Sequence, residues 1–194
     1  MMQMFKTALR VLLVLTVLTG IIYPLVITGV VQLLFPGRAN GSLVRRGDQT
    51  IGSALVGQDF SDYRYFWPRP SATNYNAMPS GAANLGPTSQ QLRTLTDARR
   101  ARMQQSPHEP GRPLPWDMAS ASGSGLDPDI SAEAAQYQVT RIAMARALDS
   151  LAVSRVMELI GIHTMAPTFG VLGEPRVNVL ALNLALDSLE AERK

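Results

Sequence analysis

The stretch that decides the fold begins Val11-Leu12-Leu13-Val14-Leu15 and carries no charge for 27 residues, until Arg38. As a helix this run would be roughly 40 Å long, which exceeds the ~30 Å hydrocarbon core of a bilayer. The sequence therefore predicts a transmembrane helix over residues 11–35, preceded by a short head over residues 1–10.

A cleaved secretory signal peptide is the competing interpretation of this run. Signal peptides usually have a shorter apolar region that ends in a small-x-small cleavage site. Here the apolar run continues through Leu33-Leu34-Phe35, and the segment that follows, Pro36-Gly37-Arg38-Ala39-Asn40, makes a poor cleavage site. The length of the run favours a helix that stays in the membrane.

Three polar residues lie in the second half of the run: Tyr23, Thr28 and Gln32. Their spacing of four or five residues suggests one helix face, and in lipid such groups seek partners on neighbouring helices. Pro24 lacks an N–H and should kink the helix. We therefore expect Tyr23, Pro24, Thr28 and Gln32 to form a face that meets a partner helix. The alternative is a plain anchor whose threonines bond back to their own helix.

Charges on the two flanks of the helix indicate its orientation. Lys6 and Arg10 lie in a head without acidic residues, which favours a cytoplasmic head. Arg38, Arg45 and Arg46 on the other flank reduce this asymmetry. Long domains cross membranes with little regard to their charge, so the charge of the short head determines the expected orientation. The main body is therefore expected on the extracytoplasmic side.

Composition excludes several kinds of chemistry. The chain has no Cys, which excludes disulfides, thiolate nucleophiles and cysteine-ligated clusters, and its two His disfavour a histidine-rich metal site. Lysine occurs only as Lys6 and Lys194, so a Gly-x-x-x-x-Gly-Lys phosphate loop is absent. From residue 36 onward 16 basic residues are balanced by 15 acidic ones, and no basic stripe suits nucleic acid.

Residues 36–194 predict one α+β domain after the helix. Asn40-Gly41-Ser42 indicates a turn at its start. Short apolar and aromatic runs between Gly and Pro predict strands and turns over residues 51–70, followed by a loop over residues 71–87. Residues 104–130 contain five prolines and predict a long irregular loop, which in a compact domain is often functional.

Three further helices are predicted from capping residues and apolar spacing. Thr88 and Gln91 form a capping-box pattern, and Ser131 is the expected N-cap of a helix that reaches about Leu148. A short helix carries Val153 to Ile160, and breaks follow at Gly161, Pro167, Gly170 and Gly173. Residues 177–186 alternate like a strand, but their Leu and Ala content favours a helix capped by Asn178. The arginines of the first helix, Arg93, Arg99, Arg100 and Arg102, are interpreted as a solvated face.

A few residues could supply chemistry. Ser122 or Ser124 with Asp127 and His163 could in principle form a hydrolytic triad, although no Gly-x-Ser-x-Gly elbow follows a strand. Asp127-Pro128-Asp129 could bind a cation or complement the dipole of the helix at Ser131, and the second use is commoner. Glu174-Pro175-Arg176 predicts a local salt bridge at a turn. A membrane-anchored extracytoplasmic serine hydrolase is therefore the alternative function.

A set of short motifs runs in order along about residues 20–187: Tyr23-Pro24-Leu25, Phe35-Pro36, Ala39-Asn40-Gly41-Ser42-Leu43, Gly52-Ser53, Gly57-Gln58-Asp59-Phe60, Tyr65-Phe66, Arg69-Pro70-Ser71-Ala72, Asn84-Leu85-Gly86-Pro87-Thr88-Ser89, Ala121-Ser122-Gly123-Ser124-Gly125-Leu126-Asp127-Pro128, Gln138-Val139, Arg141, His163-Thr164 and Leu172-Gly173-Glu174-Pro175-Arg176-Val177-Asn178-Val179. Together these motifs resemble one family, the C subunit of the Kdp-type potassium-transporting ATPase. Two departures are Ala82-Ala83, where the family often has a second Gly, and Asp129, where it often has His.

The resemblance implies a non-catalytic subunit of a high-affinity potassium uptake complex in the bacterial inner membrane. Such a complex couples ATP hydrolysis on a P-type pump subunit to potassium movement through a channel-like subunit. The C subunit has one membrane helix and an extracytoplasmic domain, supports assembly and stability, and acts as a catalytic chaperone that raises the pump subunit's affinity for ATP. The resemblance implies ATP bound through the pump subunit and potassium as the cargo. From composition and charge we expect no metal site and no nucleic-acid partner for this chain.

Candidate contact residues for the other subunits come from the polar positions of these motifs. They are Asn40, Gln58, Ser122, Ser124, Asp127, His163, Glu174 and Arg176.

Overall fold

A computed structural model describes residues 1–109 and 111–191 of the chain. The chain divides into two units, one from Met1 to Ile51 and one that starts at Gly52. Pro110 of the predicted 104–130 loop and the last three residues of the predicted α+β domain lie outside the described residues.

The first unit is dominated by one long helix. It comprises α1 (Met2–Val17), a π-helical turn (Leu18–Ile22) and α2 (Tyr23–Leu34). These three parts form a continuous span of 33 residues that is long and apolar enough to cross a membrane. The structure thus has the single apolar N-terminal helix that the sequence predicts.

The π-helical turn is the local response to Pro24. In a regular α-helix the N–H of residue 24 would donate to the carbonyl of residue 20, and proline has no N–H. Just before the proline, the N–H of Tyr23 donates to the carbonyl of Leu18, five residues back instead of four. The wider turn carries the helix past the proline without breaking it.

A short helix and a hairpin follow the long helix. Helix α3 (Pro36–Ala39) ends in a turn at Asn40 and Gly41, as predicted, and Gly41 has a φ of 85° there. Strands β1 (Leu43–Arg46) and β2 (Gln49–Ser53) then form a two-stranded sheet. The sequence predicts strands only from residue 51 onward, so β1 was missed.

The second unit combines helices with one small sheet. Its helices are α4 (Gln90–Gln105), α5 (Trp116–Ala119), α6 (Ala132–Ala145), α7 (Ser150–His163) and α8 (Val179–Ala191). Its strands are β3 (Asp129–Ile130), β4 (Thr164–Met165) and β5 (Arg176–Asn178), antiparallel in the order β3-β5-β4. Helix α7 packs against both α6 and α8. The predicted mixture of helices and strands is confirmed.

Helix boundaries show which local signals were correct. The side chain of Ser131 accepts from the N–H of Ala134, and that of Asn178 accepts from Ala181, so both predicted caps are confirmed. The cap of α4 was wrong by one residue, because Ser89 and not Thr88 accepts from Leu92. Gly161 was expected to break the chain but lies inside α7, which continues to His163.

The segment of residues 54–89 has no regular helix or strand, yet it is anchored in the core by two side-chain amides. Asn183 on α8 accepts from the N–H of Phe66 at 2.8 Å and donates to its carbonyl at 3.0 Å. Gln138 on α6 does the same for Trp67, at 2.7 and 3.1 Å. Each amide thus pairs both backbone groups of one residue, as a neighbouring β-strand would. We call these contacts the amide clamps.

A buried arginine supports the second clamp. Arg141 donates to Gln138 Oε1 at 2.7 Å and to the carbonyls of Tyr63 and Tyr65. Its guanidinium lies 3.9 Å from the centre of the Trp67 ring, and that of Arg102 on α4 lies 4.3 Å from it. Burial lowers the pKa of Arg141 to about 10, so it is charged at neutral pH. Carbonyl dipoles and the Trp67 ring stabilise this charge.

Candidate functional site: subunit-contact surfaces

The long helix exposes its apolar side chains along its whole length. None of its residues is buried within the chain, from α1 through α2. Apolar surface of this extent in water would be costly, at about 25 cal/mol per Å². The helix therefore needs lipid or other helices around it.

Three of the four residues of the predicted partner face share one stripe of the helix. Within α2, Pro24, Thr28 and Gln32 follow one another at intervals of four residues and share one stripe. Tyr23 precedes Thr28 by five residues, a rotation of about 140° at about 100° per residue, so Tyr23 lies to one side of that stripe. The hydroxyl of Thr19 bonds back to the carbonyl of Leu15, as in a plain anchor, whereas the hydroxyl of Thr28 makes no hydrogen bond within the described residues.

Gln32 and Asn40, two of the predicted contact residues, bind each other. Asn40 Nδ2 donates to Gln32 Oε1 at 3.2 Å, and Gln32 Nε2 donates to Asn40 Oδ1 at 3.4 Å. Asn40 also donates to the carbonyl of Pro36. Gln32 therefore has a polar partner within this chain and does not require one on another subunit.

In the second unit the Ser-Gly-Ser-Gly segment serves as a structural turn. The backbone N–H of Ser122, which is buried, donates to the carbonyl of Pro70 at 3.0 Å. Ser124 Oγ accepts from the N–H of Leu126, and the carbonyl of Gly125 accepts from Ser71 Oγ. These contacts tie the turn to the loop of residues 70–73.

Glycine is required where this turn meets other backbone. Gly125 has a φ of 71°, and a Cβ there would lie 2.7 Å from Thr73 Oγ1 and 2.8 Å from the carbonyl oxygen of Gly81. Gly57 donates to the carbonyl of Leu126, and a Cβ on it would collide with the carbonyl of Asp127. Nearby, the half-buried side chain of Gln58 lies directly against Gly52.

Three predicted contact residues, Asp127, Glu174 and Arg176, line one cleft of about 700 Å³. We call it the acidic cleft because its ionisable lining consists of five carboxylates and two arginines: Asp117, Asp127, Asp129, Glu133, Glu174, Arg69 and Arg176. Arg69 pairs with Asp127 at 3.0 Å. Arg176 pairs with Asp129 at 3.1 Å, so the predicted local salt bridge between Glu174 and Arg176 was wrong about the partner.

Asp129 is the carboxylate in this cleft whose pKa departs most clearly from its ordinary value. Partial burial raises the pKa of Asp129, and the neighbouring Asp127 acts in the same direction. A hydrogen bond from Asn178 and the charge of Arg176 lower it in part. Within residues 1–109 and 111–191, no group of three carboxylates or histidines is placed to hold a metal ion.

The residues proposed for a hydrolytic triad do not come together. Asp127 is held by Arg69, and its second oxygen accepts from the N–H of Asp129. His163 ends α7 beside β4, whereas Asp127 lies beside β3, and β5 separates these two strands. Two strand spacings correspond to about 10 Å, beyond hydrogen-bond reach. The serine hydrolase alternative therefore has no site in this structure.

A second cleft, of about 780 Å³, was missed in the sequence. We call it the arginine cleft because Arg99 and Arg102 of α4 line it, together with Trp67 and Tyr75. Burial lowers the pKa of Arg99, and burial together with the charge of Asp59 raises the pKa of Tyr75. Arg99 is half-buried, so interpreting it as part of a solvated face was wrong, whereas Arg102 is exposed although it lines the cleft. Arg99 follows Leu95 by four residues and Arg102 follows it by seven, so both lie on the apolar stripe of α4. This spacing can be seen in the sequence.

Comparison with known proteins identifies the family. The family model described as "K+-transporting ATPase, c chain" matches residues 5–188. The chain belongs to this family. It is 50% identical over 192 residues to a potassium-transporting ATPase KdpC subunit from Burkholderia vietnamiensis, covering 95% of this chain and 98% of the relative. For the KdpC subunit of Polynucleobacter asymbioticus the identity is 45% over 190 residues, covering 96% and 99%.

A third relative, the KdpC subunit of Myxococcus xanthus, is 48% identical over 190 residues and covers 96% of this chain and 89% of its own. Membership of the K+-transporting ATPase c-chain family confirms the resemblance seen in the sequence motifs. The match includes both the apolar helix and the second unit. The exposed surface of the long helix and the acidic cleft, which holds Asp127, Glu174 and Arg176, are therefore the candidate surfaces for contact with other subunits.

Proposed function

We propose that this chain is a non-catalytic, single-pass subunit of a high-affinity, ATP-driven potassium uptake complex in the bacterial inner membrane, and that the complex needs it to assemble and stay stable. The family match over residues 5–188 carries this proposal. It is supported by the long helix, whose apolar side chains are uncovered in the isolated chain.

The proposed partners are the ATP-hydrolysing pump subunit and the channel-like subunit that conducts potassium. The helix supplies a surface for their membrane segments, where helices associate through close packing and interhelical hydrogen bonds. We place the second unit on the extracytoplasmic side, because Lys6 and Arg10 lie in a head without acidic residues.

We further propose that the chain raises the pump subunit's affinity for ATP without binding ATP itself. ATP is bound on the cytoplasmic side, whereas the proposed orientation places the second unit on the opposite side. The chain would then act by favouring the pump conformation that binds ATP better, which is an effect on a conformational equilibrium. The ATP concentration for half-maximal hydrolysis should therefore rise when purified complex is stripped of this chain, and fall again when the chain is added back.

Deletion of the chain tests the proposed function directly. A strain that lacks it, and lacks other potassium uptake systems, should lose ATP-driven uptake at low external potassium, and a plasmid copy should restore it. The measurement is uptake of a potassium tracer into washed cells. Wild-type uptake in the deletion strain would contradict the proposed role.

A further inference from the structure

The connection between β4 and β5 is a folded hairpin and not a loose loop. The N–H of Thr168 donates to the carbonyl of Leu172 at 2.8 Å, and the N–H of Leu172 donates back to the carbonyl of Thr168 at 3.0 Å. The N–H of Gly170 also donates to the carbonyl of Pro167. We call residues Thr168–Leu172 the apolar hairpin. Its backbone hydrogen bonds fix the directions of the side chains at its tip.

Those side chains are apolar and exposed. Phe169 is 89% exposed, Val171 79% and Leu172 61%. Large apolar side chains grouped at one exposed point on a soluble surface typically mark an interaction site. The packing of the second unit does not explain them, since they contribute little to its core.

The backbone of Phe169 is a second, independent observation. Its φ is 55°, in the left-handed region that aromatic residues rarely adopt. Such conformations persist where surrounding structure imposes them, and they are concentrated at functional sites. Here the residue in this conformation leaves its aromatic ring exposed.

Charge in the hairpin region favours a protein partner over a lipid surface. No Lys, Arg, Asp or Glu occurs between Glu158 and Glu174, and both of these flanking residues are exposed acids. Segments that bind bilayer surfaces usually carry Lys or Arg that attract anionic lipids. The nearest basic residues outside this stretch are Arg155 and Arg176, and Arg176 is paired with Asp129. The uncharged tip therefore lacks this attraction and suits an apolar recess in a protein.

The size of the tip argues against a dimer formed by the hairpin alone. Three side chains cover on the order of a few hundred Å², whereas a stable interface buries about 800 Å² on each partner. A compact apolar tip of this kind fits the role of an anchor within a larger contact, where a few central residues carry most of the binding energy.

We propose that the apolar hairpin is a docking element that inserts Phe169, Val171 and Leu172 into an apolar recess on another protein subunit of the potassium-transporting ATPase. This inference rests on the proposed function and adds the contacting surface and the chemistry of its partner. The recess is lined by aliphatic and aromatic side chains.

A triple variant, Phe169→Ser with Val171→Ser and Leu172→Ser, tests the inference in the full chain expressed with the other subunits. Because the three side chains are exposed, the variant should fold, which its circular dichroism and melting temperature verify. The yield of the other subunits that co-purify in mild detergent should fall by roughly tenfold or more, as for loss of hot-spot residues. The matched control, Met144→Ser with Leu151→Ser, removes two exposed apolar side chains elsewhere on the same unit and should leave the yield unchanged.

Photo-crosslinking gives an answer that does not depend on the triple variant. A photoreactive phenylalanine analogue at position 169, in the otherwise unaltered complex, should crosslink to an apolar segment of one other ATPase subunit, located by mass spectrometry. Crosslinks only to lipid, only to a second copy of this chain or to no protein would overturn the inference, as would normal co-purification of the triple variant.

The two proposals fail differently. If deletion of the whole chain abolishes potassium uptake while the triple variant assembles normally, only the docking role of the hairpin is wrong. If the deletion strain takes up potassium normally, the proposed function itself is wrong.

Discussion

The two units of this chain differ in which side chains they bury. The long helix from Met2 to Leu34 leaves its apolar side chains exposed. The second unit buries its apolar core and also buries Gln138, Arg141 and Asn183, each with hydrogen-bond partners. The second unit thus supplies its own partners, whereas the helix depends on its surroundings. Mutations in the buried core of the second unit should accordingly affect stability, whereas mutations in the helix should affect assembly.

The largest effect is expected at an amide clamp. Gln138→Leu removes the partners of both backbone groups of Trp67 and one acceptor of Arg141, leaving buried polar groups unsatisfied. We expect a loss of about 3 kcal/mol or more in the free energy of unfolding, or about 10 °C in melting temperature. The measurement is a thermal melt of the full chain in mild detergent, followed by near-ultraviolet circular dichroism.

The control for this variant is Gln104→Leu, which makes the same change at an exposed position on α4. A surface substitution of this kind should stay within about 0.5 kcal/mol of wild type. Equal melting temperatures for Gln138→Leu and wild type would show that the clamp contributes nothing to the stability of the second unit.

A smaller effect separates two glycines of the same turn. Gly125→Ala forces a side chain into the left-handed region and against Thr73 and Gly81, and should cost roughly 2–3 kcal/mol. Gly123→Ala meets no atom within 4 Å and should be nearly neutral. Urea denaturation of the two variants measures the difference. If both lose stability equally, the close backbone contact at Gly125 is not what requires glycine.

The smallest effect is expected in the membrane helix and concerns assembly. A hydrogen bond between membrane helices contributes about 0.6 kcal/mol, so Thr28→Leu with Gln32→Leu should lower co-purification of the other subunits about two- to tenfold. Substituting Val14, Val17 and Leu18 by other apolar residues controls for general damage to the helix. Undiminished co-purification of the double variant would mean that this stripe faces lipid.

A comparison with Asn40→Leu sharpens this prediction. That substitution breaks the amide pair with Gln32 from its other end and leaves the stripe of α2 intact. A loss of assembly equal to that of the double variant would show that the internal pair matters, and not a contact between Gln32 and another subunit.

Signals that act within a few residues made much of the fold predictable. A run of apolar residues identified the long helix, and Ser131 and Asn178 identified the starts of α6 and α8, because a cap binds an N–H two or three residues away. Residues 177–186 were harder, since β5 changes into α8 at Asn178 and the same residues carry both patterns.

Features that depend on residues far apart in sequence were not predictable. Strands β3 and β4 have two residues each, too few for any periodic pattern, and the pairing of Arg176 with Asp129 exists only once β3 and β5 meet. The role of Gln138 at Trp67 joins positions 71 residues apart. The family motifs include Gln138 and Arg176, but they do not indicate what these two residues bind.

The π-helical turn at Leu18–Ile22 changes the rotational phase of the long helix. Because Tyr23 bonds five residues back, the stripe of Pro24, Thr28 and Gln32 continues toward the N-terminus at Thr19 and not at Gly20. One additional residue in a turn rotates everything beyond it by about 100°. A neighbouring helix that follows this stripe therefore contacts a different side of α1 from the one that an uninterrupted α-helix would present to it.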